Sequence, residues 1–149
     1  MKVGRMLHRP GFWVAGYGIW ALVLLMLSST SSLPGPNISN IDKLEHTLYF
    51  AAGHIALGIA LFLAAPPRNR RQWMTIGAVI IGAAIVTGIL DEWHQSFVPG
   101  RFGNDPGDII ADACGGIVAA ALLRPAAKLL VSSRPLSGAG VAGKWKSHR

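Results

Sequence analysis

The sequence predicts an all-α protein, a four-helix transmembrane bundle with N- and C-termini cytoplasmic. Three observations carry this. Of 149 residues, 51% are hydrophobic and only 14% charged, with a mean hydropathy of +0.40, whereas soluble domains carry about 25% charge. Residues 12–41, 47–67 and 72–90 contain no Asp, Glu, Lys or Arg. Lysines and arginines alternate in position with these gaps, as the cytoplasmic loops of a multi-pass protein do. The apolar content excludes a disordered chain, and a single cysteine, Cys114, excludes an intrachain disulfide framework.

A helix rises 1.5 Å per residue, so about 20 apolar residues cross a hydrocarbon core, and every backbone amide inside must be bonded within the helix. The first expected span, residues 12–29, follows Lys2, Arg5 and Arg9. A cleaved signal peptide competes for this segment, given the small-residue run at 28–32, but the apolar stretch is long for one. The second and third spans are read at 44–65 and 73–91. The fourth, 107–124, carries Asp108 and Asp112 early and meets Arg124 and Pro125 at its far end; residues 113–123 are uncharged and rich in small residues. Leu129, Leu130 and Val131 extend it after the proline, and a re-entrant or interfacial helix is the alternative.

The connections are turn-rich: Pro34, Gly35 and Pro36 in 31–40, a basic hairpin at 66–72, and a Gly/Pro-rich loop at 97–106. One membrane domain, 1–124, is expected, with a basic cytoplasmic tail, 125–149, disordered after residue 132. With the N-terminus inside, twelve of the fourteen lysines and arginines fall on the cytoplasmic side, and all seven acids fall on the other with Lys43 and Arg101. The net charge of +7 is therefore a topology signal and a contact with lipid headgroups, not a nucleic-acid footprint. The expected location is the bacterial inner membrane.

At 100° per residue, polar residues fall into stripes. Asp42, His46, Tyr49 and Gly53 share a face of the second span, with Glu45 on its flank. Ala84, Gly88, Glu92 and Gln95 share a face around the end of the third, and Asp108, Asp112, Gly115 and Ala119 share one on the fourth. Ionisable groups near a bilayer face a protein interior or a wet cavity, and small residues let helices approach closely. Convergence through Gly53, Gly88 and Gly115 is expected to gather the polar ends into one external cup, with Arg101 supplied by the loop. Glu45, Asp91 and Asp105 are read as markers of span ends. His54 is read as a helix–helix hydrogen-bonding group, Trp13, Trp73 and Trp93 as interfacial residues, Cys114 as a packing residue, and Ala52, Ala56, Ala60 and Ala64 as a close-packing face open to homo-oligomerisation.

The segments DKLEHTLYF at 42–50 and DEWHQSFVPGRFGNDPGDIIADACGG at 91–116 carry a resemblance to the VanZ-like family. That family's pattern is Asp-Lys-x-x-His opening one span, Glu-x-x-Gln-x-Phe before an Arg-containing loop, and Asp opening the last span. The resemblance covers residues 12–124 and implies that Asp42, Lys43, His46, Tyr49, Glu92, Gln95, Phe97, Arg101 and Asp108 are signature positions. Asp112 stands where the family commonly has Asn. The family's named member is associated with low-level teicoplanin resistance, which implies a role in the cell envelope.

Three mechanisms are open at this stage. An accessory protein would hold a lipid or cell-wall precursor headgroup, with Arg101 and Lys43 on a phosphate or carboxylate and Asp42, Tyr49, Gln95 and Asp112 completing the ligand site. A membrane-embedded enzyme would use His46 as general base with Glu92 or Asp108 as its acidic partner. A transporter would need polar groups in the cytoplasmic halves of the spans, where Thr75 and Thr87 are the only ones in the third. No cofactor is expected; a divalent cation on Asp42, His46, Glu92 and Asp108 is a weaker reading, since the spacing matches no established metal motif.

Overall fold

The computed structural model describes residues 2–31 and 41–132. Within them the chain forms five helices and no strand: α1 (Lys2–Met6), α2 (Pro10–Ser28), α3 (Ile41–Ala64), α4 (Arg70–Gln95) and α5 (Pro106–Ser132). The last four are long and apolar enough to cross a membrane. Pro10 starts α2, where a missing N–H costs nothing. Asn69 caps α4, its side chain accepting from the Gln72 amide at 3.0 Å. Asp105 does the same for α5, accepting from the Gly107 amide at 2.7 Å with Pro106 as the first helical residue.

The helix ends do not all follow the charge-free stretches: α3 begins at Ile41 and takes in Asp42, Lys43 and Glu45, α4 runs from Arg70 to Gln95 past both ends of its stretch, and α2 stops at Ser28 inside its own. The fourth differs most from expectation. It does not stop at Arg124; α5 continues through Pro125 to Ser132, with Ala127 and Leu130 buried and joining that turn to the rest of the bundle. The tail expected after 132 and most of the 31–40 connection lie outside the described residues.

Burial is inverted relative to a soluble protein. The interior holds Ala51, Ala60, Ala84, Ala111, Ala119 and the polar His54, Asp91, Glu92, Gln95 and Asp112, while Leu22, Met26, Met74, Ile110 and Leu129 are more than 60% exposed. Large apolar side chains outward and small or polar ones inward are the arrangement that lipid favours, since apolar faces gain nothing by turning away from hydrocarbon. A conventional apolar cluster of Ile59, Ile80, Ala119, Leu123 and Leu130 lies in the half remote from the acids, with Leu7 and Trp13 packed against it.

Glycines set the approach of the helices. A Cβ at Gly115 would stand 2.6 Å from the Thr47 carbonyl oxygen and 2.7 Å from Phe50 Cβ, so α3 and α5 touch backbone to backbone there. A Cβ at Gly88 would stand 2.6 Å from Asp112 Oδ2, so that glycine makes the space the carboxyl group occupies. Gly53 corrects the expected three-helix convergence: it lies against the indole of Trp20, on the α2 side of α3. There Tyr49 and Trp20 exchange bonds, Tyr49 Oη donating to the Trp20 carbonyl at 2.9 Å and Trp20 Nε1 to the Tyr49 carbonyl at 3.0 Å, with their rings stacked.

Candidate functional site at the acidic end

The N-termini of α3 and α5 and the C-terminus of α4 lie at one end of the bundle; α4 and α5 turn their polar stripes inward there, and α3 does so through His46. Lys43, on the first turn of α3, is the hub. Its Nζ lies 2.7 Å from Asp105, 2.7 Å from Asp108 and 3.3 Å from Asp42. One turn on, His46 Nδ1 is 3.0 Å from Asp112 Oδ1, and His46 Nε2 is 3.8 Å from Asp108. Since a carboxylate accepts, Nδ1 is the donating nitrogen when Asp112 is ionised.

The 96–105 loop is held over the end of α4. Glu92 Oε2 accepts from the Asp105 amide at 2.7 Å. Gly103 packs against the Glu92 carbonyl and the Ser96 amide so closely that no side chain fits at that position. Asn104, with φ of 65°, takes the left-handed conformation that Asn tolerates. The Lys43 ammonium, followed by the Gly107 amide, holds the Asp105 carboxyl below the usual carboxylate range.

Beside this cluster lies a cavity of about 510 Å³ between α2, α3 and α4. Its polar lining is Ser28, Glu45, His46, Tyr49, Asp91, Gln95 and Arg101, so Glu45, expected only to mark a span end, also faces it; its apolar wall includes Leu24, Leu27 and Leu48. His46 belongs to both, facing the cavity and bonded to the carboxylates behind it. Three buried polar atoms at this end have no hydrogen-bond partner among the described residues: Asp112 Oδ2, Glu92 Oε1 and Arg101 Nε. Two carboxyl oxygens without donors and a guanidinium nitrogen without an acceptor are unused capacity, because buried polar groups are ordinarily satisfied.

The structure brings together Asp42, Lys43, His46, Asp108 and Asp112 as one network, and His46, Tyr49, Gln95 and Arg101 as cavity lining. Glu92 joins through the loop. Tyr49 contributes its ring, its hydroxyl being engaged with Trp20. Phe97 is 68% exposed and rests edge-on against Trp93, outside the cavity lining. No three His, Cys, Asp or Glu side chains among the described residues are grouped to hold a metal ion.

Several readings are corrected. Asp91 is no mere span marker: it is buried, accepts from Gln95 Nε2 at 2.8 Å and from the Ser28 hydroxyl, and lines the cavity. Its spacing of four from Gln95 was the available signal. Ser28 and α2 as a wall had none, a serine among leucines being unremarkable. Asp105 is a cap and an ion-pair partner. The His54 Nδ1 bonds the Phe50 carbonyl of its own helix at 2.9 Å, and the ring also meets the Ala83 backbone of α4. Cys114 is exposed, and of the alanine face Ala60 is buried within the chain while Ala52 and Ala64 are exposed. Trp13 and Trp73, both half-buried, bond the Leu7 carbonyl and pack with Phe62 and Arg124 respectively.

No family model, curated protein or solved structure matches this chain. What the site can do is therefore read from its own geometry. A cavity with a cation at its rim, an imidazole backed by carboxylates and an amide–carboxylate pair suits a ligand bearing both an anionic group and hydroxyl or amine donors.

Proposed function

We propose that the chain is a VanZ-like integral membrane protein of the bacterial inner membrane that binds the headgroup of a lipid or cell-wall precursor at its acidic, extracytoplasmic end. The observation that carries the reading is the cavity itself. Leucines from α2 and α3 line it together with Glu45, His46, Asp91, Gln95 and Arg101, a mixed lining that suits a ligand with an apolar anchor and a polar head. Arg101, with its unpartnered Nε, would meet the phosphate or carboxylate; Asp91 and Gln95, which line the cavity, would bond its hydroxyls or amines.

The charges support the orientation. Arg5, Arg9, Arg68, Arg70, Arg71, Arg124 and Lys128 lie at the ends of helices opposite the carboxylates, which favours cytoplasmic termini by the rule that short inside loops retain positive charge. The motifs Asp42-Lys43-x-x-His46 and Glu92-x-x-Gln95-x-Phe97 support the family reading, and with it a contribution to teicoplanin resistance through a change in envelope chemistry.

A second reading, a membrane-embedded enzyme acting on such a headgroup, is favoured by one feature. The buried Asp112 carboxylate sits 3.0 Å from His46 Nδ1, an arrangement that orients an imidazole and leaves Nε2 as the base. Asp108, 3.8 Å from His46 Nε2, is the acid nearest that nitrogen, and Glu92 would be a further acid at the same end. The two readings separate in cells expressing wild type, His46→Ala, Glu92→Gln or Arg101→Ala at equal membrane levels, challenged with teicoplanin and vancomycin while lipid-linked wall precursors are profiled by mass spectrometry. The binding role predicts a teicoplanin shift lost in Arg101→Ala with precursor masses unchanged. A new precursor mass abolished by His46→Ala would instead establish the enzyme, and no shift in any strain would overturn the envelope role.

A further inference from the structure

The opposite end of the bundle carries a second groove, of about 800 Å³, between the end of α3, the turn at 65–69, the start of α4 and the last turns of α5. Arg68, Arg70, Arg124 and Lys128 line it. None of the four makes an ion pair among the described residues, and all seven acids of the chain lie at the other end. Four cations around one groove repel one another, and no carboxylate of the chain offsets that.

The groove is also ordered. The Arg124 guanidinium lies over the Trp73 ring, 5.0 Å from its centroid, and Trp73 stacks on Phe62 at 5.8 Å with the planes 25° apart. This stack fixes the Arg124 stem and leaves its planar fork without a bound acceptor. Between the cations the wall is apolar, Phe62, Trp73, Ala127 and Val131. It continues onto the outward-facing Met74 and Leu129, which are 63% and 72% exposed.

We propose that this groove holds the headgroup phosphate of an anionic phospholipid from the leaflet at that end, its acyl chains lying along the apolar strip of α4 and α5. The inference rests on the helices spanning a bilayer and is independent of the chemistry at the acidic end. Isolated cations at span ends serve orientation alone and require no pocket; here an aromatic-braced arginine, two neighbours from the turn and a lysine one helical turn beyond Arg124 converge on one volume, as basic pockets between transmembrane helices that bind anionic headgroups do. Free phosphate would use the cations but not the apolar strip.

The test titrates the detergent-solubilised full chain with phosphatidylglycerol, phosphatidylcholine and inorganic phosphate, comparing wild type with Arg124→Gln, Lys128→Gln and Arg71→Gln. Arg71 has the same charge at the same end but does not line the groove. Lys128 is exposed and bonds to no other side chain among the described residues, so its substitution leaves the fold intact even if Arg124→Gln does not. Expected are saturable phosphatidylglycerol binding weakened about tenfold by Lys128→Gln or Arg124→Gln, no change with Arg71→Gln, and no competition from phosphatidylcholine. Equal weakening by Arg71→Gln would show diffuse charge attraction, and inorganic phosphate competing as well as the lipid would show an ion site. Either result overturns the proposal.

Discussion

At the start of α3 one ammonium, Lys43, lies within 3.3 Å of three carboxylates, and His46 is held by a fourth. At the other end Arg68, Arg70, Arg124 and Lys128 share a groove with no carboxylate beside them among the described residues. The difference lies in the packing beneath. Under the acidic end are glycines and alanines that bring α3, α4 and α5 close enough for their polar stripes to bond one another. Under the basic end are Ile59, Ile80, Leu123 and Leu130, which hold the helices by bulk and leave the cations at the rim. A membrane protein thus keeps charge either by pairing it inside a close-packed end or by leaving it to the headgroup layer.

The most damaging way to break this contrast is to separate the helices without touching a charge. Gly115→Val places a side chain against the Thr47 carbonyl and Phe50 and should cost about 3 kcal/mol, read by dodecyl sulfate titration followed by circular dichroism. Gly77→Ala meets only Ala120 Cβ at an ordinary 3.8 Å and should leave that curve unchanged. Equal loss in both would mean that the acidic end is held by something other than close backbone approach.

A smaller effect is expected of Ser28→Ala. It removes the hydroxyl that α2 donates to Asp91 and should cost about 0.5–1 kcal/mol in the same titration, with the larger consequence falling on ligand retention in the cavity. An unchanged cavity function would remove α2 from the site.

The smallest change sharpens the electrostatic side of the contrast. Asp105→Asn keeps a capping side chain for α5 but loses the charge pairing with Lys43. Because the Asp105 carboxyl is held below its ordinary range, its contribution is fully present above the unfolded value of about 3.9 and disappears as pH falls through the lower folded value. Wild type should therefore melt slightly above Asp105→Asn near neutrality and converge with it in acid. A gap that persists below that range would show that the pair does not stabilise the fold.

Much of this was legible in the sequence, and the reason is specific. Three charge-free stretches marked spans because lipid penalises every charge. The i, i+4 spacing of Asp42 with His46, Gly88 with Glu92 and Asp108 with Asp112 marked inward faces because a helix turns 100° per residue. Angular position within one helix does not say which neighbour it faces. Gly53 shared a stripe with His46 yet packs on Trp20, since α2 lay beyond the reach of any stripe argument: its outward and inward residues are equally apolar. Asp91 was indistinguishable from a boundary charge until the pairing with Gln95 and Ser28 was seen. Pro125 left the far end of the fourth span open between Arg124 and the leucines beyond it, and α5 takes the longer course to Ser132.

The central claim is that the cavity beside His46 holds a headgroup through Arg101. It is tested most directly by mass spectrometry of the lipids retained by the purified protein, wild type beside Arg101→Ala, His46→Ala and the groove variant Lys128→Gln. The account predicts one lipid or lipid-linked precursor species retained by wild type and by Lys128→Gln but depleted about tenfold in Arg101→Ala and His46→Ala. The same lipid profile in all four proteins would contradict it.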